Sequence, residues 1–114
     1  MKHTLNGNIA TRNIWLDGKL LSPEFSQVIR NHSPDGFCWG YGGSGPAQLA
    51  LAILLELVER GVAISAYQKF KWDFIAKLPQ TDFELEFKIE EIVDKGQRSY
   101  SFRFPTSLNG KLEE

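Results

Sequence analysis

A chain of 114 residues is long enough for one packed core, and its 42% apolar and 24% charged residues are the balance of a folded globular domain. Thirteen basic against fourteen acidic residues leave a formal charge of -1, which argues against broad duplex-DNA binding by counterion release. The single cysteine, Cys38, excludes an intrachain disulfide, and no apolar leader shows in "MKHTLNGNIATRN". The longest apolar run, 47–58, is too short to span a bilayer, so the expected location is the cytoplasm, with no membrane partner.

In chain order, "NIWLDGKLL" (13–21) sets Asp17-Gly18 between apolar residues. Asp-Gly suits the two positive φ values of a type I′ turn, which predicts a hairpin with strands near 12–16 and 19–21. In "SPEFSQVIRNH", Val28 and Ile29 suggest a short strand. "SPDG" (33–36) reads as a turn in which Pro34 presets φ and Gly36 takes the left-handed position, and "FCW" (37–39) as a short strand. A first helix follows with Gly45 as N-cap, Pro46 at the first helical position, Gln48 reaching back to the cap and Gly61 as its stop. Ten of the twelve residues from Ala47 to Val58 are apolar, so this helix is expected to be enclosed by the rest of the domain.

A second helix is predicted over "SAYQKFKWDFIAKLP" (65–79), opened by a Ser65–Gln68 capping box and stopped at Pro79. Tyr67, Phe70, Phe74, Ile75 and Leu78 recur on one side of it at helical spacing, which predicts a core face. "DFELEFKIEEIVDKG" (82–96) alternates like a strand at first, then is read as a short helix from about residue 87 to Gly96. "RSYSFRF" (98–104) adds an edge strand, and residues 106–114 are expected to be a frayed tail beyond a domain of residues 1–105. The expected fold is α+β: a small antiparallel sheet packed on two core helices, with a short third helix.

Five glycines crowd residues 36–45, and Gly40-Tyr41-Gly42-Gly43-Ser44-Gly45 matches G-x-G-x-x-G. Such patterns place backbone N–H groups around a phosphate at a helix start. Pro46-Ala47 follows in place of Lys-Ser/Thr, which removes the phosphate lysine and the magnesium hydroxyl and excludes a phosphate-loop NTPase. A nucleophile elbow fails because its fifth position is Pro46, and both histidines, His3 and His32, precede Ser44. Cys38 with His32 and Asp35 can be drawn as a thiol site, but a cysteine between Phe37 and Trp39 reads as a buried, quiet hydrophobe. No metal-ligand spacing is present, and no cofactor is expected.

Two readings of the loop stay open. In one, the glycines only let the backbone turn tightly against the core helix. In the other, the N–H groups of Gly42, Gly43, Ser44 and Gly45 face an anion, the Ser44 hydroxyl adds a donor, and Trp39 or Tyr41 stacks on an attached base. Arg30 and Lys71 are its candidate charge partners.

The block "NHSPDGFCWGYGGSGPAQLALAILL" (31–55), followed by "YQKFKWDFIAKLP" (67–79), resembles a family of short uncharacterised proteins of bacteria, archaea, phages and plasmids. The resemblance implies a variable residue at position 38 and a short acidic helix near 87–94. Its mobile-element setting suggests counter-defence. The expected function is therefore non-enzymatic binding of an anionic or nucleotide ligand. The alternative is a protein-interaction module that inhibits a host defence complex through exposed aromatics such as Trp15 or Trp72, with a purely structural loop. An enzyme is the third class, for which no catalytic group has an evident base or orienter. The oligomeric state is left open.

Overall fold

The two-residue alternation of apolar and polar residues builds one sheet with one covered face. In the computed structural model, which describes residues 2–105, five antiparallel strands run in the order β3-β2-β1-β4-β5. They are β1 (Lys2–Asn8), β2 (Asn13–Leu16), β3 (Lys19–Leu20), β4 (Phe83–Asp94) and β5 (Gln97–Arg103). Leu5 lies opposite both Leu16 and Leu85, and Gly7 opposite both Ile14 and Phe83. This register gathers Leu5, Ile14, Leu16, Phe83, Leu85 and Phe87 on the buried face. Gly7 is required there, because any Cβ at that position would run into the Phe83 ring.

The Asp17-Gly18 turn forms as its residues demand, with φ of 51° and 81°. The Asp17 carboxylate also accepts a hydrogen bond from the Thr4 amide at 2.9 Å and pairs with His3 Nδ1 at 2.7 Å, tying the hairpin to β1.

Three α-helices cover the sheet: α1 (Glu24–Ile29), α2 (Ser44–Leu57) and α3 (Arg60–Asp73), the last followed by a 3-10 turn at Ile75–Lys77. Every residue of α2 from Gly45 to Leu54 is buried, as its apolar circumference requires. The stripe Tyr67, Phe70, Phe74, Ile75 and Leu78 is buried as expected. Phe70 meets Phe87 at 6.1 Å and Phe102 at 5.1 Å between ring centroids, and Phe74 stacks on Phe104 at 4.3 Å. These pairs bind α3 to the β4–β5 hairpin.

The polar side chain of Gln48 sits fully inside this core. Gln48 Oε1 accepts the amides of His32 at 2.7 Å and Ser33 at 3.0 Å, while Nε2 donates to Ser26 Oγ at 2.8 Å and the Arg30 carbonyl at 3.0 Å. All four hydrogen-bonding positions of the amide are used. The end of α1 and the loop after it are thereby fixed to α2.

The α+β fold agrees with expectation, and several boundaries do not. Residues 24–29 are helix, not strand: Ser22 Oγ accepts the Glu24 amide at 3.4 Å and Glu24 favours a first helical turn, which outweighs the β-branched Val28 and Ile29. The short third helix is this one. Residues 87–94 continue β4, because Lys95 and Gly96, with φ of 53° and 80°, make a second hairpin turn in place of a helix end. "FCW" is not a strand. Helix α2 begins after Gly43, so Gly45 and Pro46 lie within its first turn, and Gln48 is turned into the core rather than back to a cap. Gly61 stops nothing, since α2 ends at Leu57 and α3 starts at Arg60. Ser65 is mid-helix and donates to the Gly61 carbonyl at 2.9 Å, so its capping box does not form. The expected tail, residues 106–114, lies outside the described residues.

Gln48→Leu nearly keeps the volume but takes the partner from two amides and the Arg30 carbonyl, while Ser26 Oγ keeps its 2.7 Å bond to the Pro23 carbonyl. We expect a loss of about 3–5 kcal/mol in chemical denaturation, several times the net value of a single hydrogen bond. A loss below about 1 kcal/mol would show that water or rearrangement replaces these bonds.

Candidate functional site at the start of helix α2

The glycine loop is fastened at both ends. Gly40, at φ +85°, donates to the Ile75 carbonyl at 3.0 Å, and a Cβ there would meet Gln80 Cγ at 2.5 Å and the Leu78 carbonyl at 2.9 Å. The next glycines each receive a neighbour. The Trp72 ring lies against Gly42, the Tyr41 ring against Gly43, and Cys38 Cβ against Gly45, where an added Cβ would be 2.7 Å away. Close approach thus accounts for each of these glycines.

The six residues expected to form the site separate. Trp39 is fully buried, its indole N–H donates to the Thr81 carbonyl at 3.2 Å, and its ring meets Phe83 edge-on at 5.2 Å. It offers no free face to a base, so that role is corrected: this tryptophan, three residues after the SPDG turn, is packed in the core. Gly42 and Gly43 support the two exposed rings, Trp72 at 56% and Tyr41 at 43% exposure. Tyr41, Ser44 and Gly45 meet at a cleft of about 420 Å³.

Arg12, Ser33, Asp35, Gly36, Phe37 and Cys38 complete the lining of that cleft. Arg12 belongs to the β1–β2 connection and has a φ of 62°. Its Nε donates to the Ile9 carbonyl at 3.0 Å and its Nη1 to Cys38 Sγ at 2.7 Å, so the guanidinium is held in place beside the start of α2. Its Nη2 has no hydrogen bond among the described residues. Nothing in the local sequence marks Arg12, because it reaches the cleft through sheet topology. The two cations named from sequence are elsewhere: Lys71 is buried, donating to the Gly42 carbonyl at 3.3 Å with its charge 4.3 Å from the Trp72 ring centroid, and Arg30 does not line the cleft.

Burial raises the Tyr41 hydroxyl above its ordinary range, and the neighbouring Cys38 pushes the same way against the lowering influence of Arg12. At neutral pH Tyr41 is a protonated donor. The drawn thiol triad does not assemble: His32 Nε2 pairs with the Tyr67 hydroxyl at 2.7 Å, leaving Cys38 with Arg12 and Tyr41 and no imidazole base. Cys38 is buried, as expected. Groups of histidine, cysteine and carboxylates able to hold a metal are absent among the described residues, and no helix among them is long and apolar enough to cross a membrane.

Residues 2–95 match DUF6166, a family of unknown function. The chain belongs to this family. The match takes in β1, the glycine loop, all three helices and β4, so Arg12 and the cleft lie inside the family's span. No curated protein and no solved structure matches the chain.

The glycine contacts rank two substitutions. Gly42→Ala collides only with the exposed Trp72 ring, which can swing away, so stability should fall by no more than about 1 kcal/mol while Trp72 fluorescence shifts. Gly45→Ala collides with Cys38 Cβ and sits 3.1 Å from its backbone N inside the fold, and should cost about 2 kcal/mol or more. Equal costs in thermal denaturation would contradict this division between a movable ring and fixed backbone.

Proposed function

We propose that this protein is a non-enzymatic binding protein that takes a small anionic ligand, of nucleotide type, in the cleft at the start of α2. The observation that carries the reading is Arg12: its guanidinium is fixed by two nitrogens, with Nη2 unbonded among the described residues, beside the first turn of a buried helix. A preset guanidinium recognises phosphate without first losing side-chain freedom. The Tyr41 and Ser44 hydroxyls and the first-turn amides add donors at the positive end of the helix. The Asp35 carboxylate, which would repel a bare anion, suits the sugar hydroxyls of a nucleotide. In this reading Tyr41, not Trp39, supplies the exposed ring for a base. A binder of this kind would serve a mobile element by sequestering a host's nucleotide signal, the counter-defence role that the sequence resemblance suggests.

Thermal shift against inorganic phosphate and a panel of linear and cyclic nucleotides tests the proposal. We expect at least one nucleotide to raise the melting temperature at millimolar concentration. Arg12→Gln, with unchanged circular dichroism, should weaken that ligand about tenfold to a hundredfold, the range for a lost charge-assisted contact. A panel with no stabilising member, or a variant that keeps the full shift, would refute the reading.

A further inference from the structure

The opposite end of α2 carries a second cavity, of about 550 Å³, between β3, α1 and the last turn of α2. Leu16, Leu21 and Leu57 line it with side chains that also belong to or pack on the core, whereas Leu20 and Phe25 line it while remaining 60% and 54% exposed. Val28, one turn beyond Phe25 on α1, is 82% exposed and extends the apolar surface. This six-residue helix leaves Phe25 half exposed and Val28 largely exposed, an apolar surface that the fold itself does not cover.

The rim of this groove is mainly acidic. Asp17, Glu24 and Glu56 line it against one lysine, Lys19. Asp17 is occupied by His3 and the Thr4 amide, while Glu24 and Glu56 are exposed and form no ion pair among the described residues. The Arg60 guanidinium sits 6.0 Å over the Phe25 ring.

We propose that this groove docks a segment of a partner protein in which a large apolar side chain is followed or preceded closely by lysine or arginine. The apolar side chain enters between Leu20 and Phe25, and the cation meets Glu24 and Glu56. Charge decides among the occupants. Anionic lipid and nucleic acid are repelled by the two unpaired carboxylates. A second copy docked about a two-fold axis would set Glu24 and Glu56 of both copies against each other. A cationic, apolar segment satisfies both features at once, with the carboxylates contributing specificity and the apolar pocket the anchor. The surface is independent of the Arg12 cleft, lying at the other end of the 14-residue helix α2.

Selection of displayed random peptides on the immobilised full chain tests this. We expect enriched peptides to pair Leu, Ile, Met, Phe or Trp with a nearby Lys or Arg, and to shift the amide resonances of Leu20, Phe25 and Glu56. Synthetic copies should bind about tenfold more weakly to Phe25→Ser and to Glu24→Lys/Glu56→Lys, and more weakly with rising salt. Arg12→Gln should bind them like the wild type. Because the substituted positions are exposed, circular dichroism of the variants should be unchanged. Enrichment of acidic or purely apolar peptides, no enrichment, binding untouched by either groove variant, or sedimentation showing a dimer that Phe25→Ser dissolves, would each overturn the proposal.

Discussion

Burying a helix on every side creates a problem that Gln48 solves. Helix α2 is enclosed from Gly45 to Leu54, so any polar group on that stretch must find all its partners inside the protein. Gln48 finds four, and they come from the end of α1 and the loop after it. A side chain that would be a liability elsewhere becomes the link that sets where residues 26–33 run. Because Ser33 begins the SPDG turn, the link also sets where Asp35, Cys38 and Tyr41 approach the start of α2.

The glycine loop follows from the same enclosure. With the first turn of α2 buried at Gly45, the preceding chain must pass close beneath aromatic rings and against the 75–81 segment. Glycines at 40, 42, 43 and 45 permit that passage. The packing account of the loop and the binding proposal for the cleft are therefore compatible. The glycines build the corner, and the recognition chemistry that the proposal invokes is that of side chains gathered beside it: Arg12 from the β1–β2 connection, Tyr41 and Ser44 from the loop and first turn.

What could be read from sequence was local and periodic. Asp17-Gly18, the largely apolar α2 and the Tyr67–Leu78 stripe each carry their cause within a few residues, and each appears as expected. The misreadings arose where two local signals competed. Ser22-Pro23-Glu24 opens a helix, yet Val28 and Ile29 drew the segment toward a strand. Lys95-Gly96 reads equally as a helix stop or a hairpin turn, and only the pairing of Ile89 with Phe102 and Ile92 with Ser99 decides for the turn. Sequence leaves Trp39 and Tyr41 as equal candidates for a stacking ring, because it shows aromatics beside glycines but not which way each faces; Trp39 is buried and Tyr41 exposed. Arg12 was invisible for a different reason: its 26-residue separation from Cys38 is closed by tertiary structure alone.

Native-state hydrogen exchange of the His32 and Ser33 amides tests the central claim most directly. Both lie in a loop, but both donate to the buried Gln48 Oε1. If Gln48 welds this loop to α2, these two amides exchange only through global unfolding, with the same opening free energy as amides near Ile53 in the middle of the helix. Exchange of both amides at a low opening free energy, while α2 stays protected, would contradict the account.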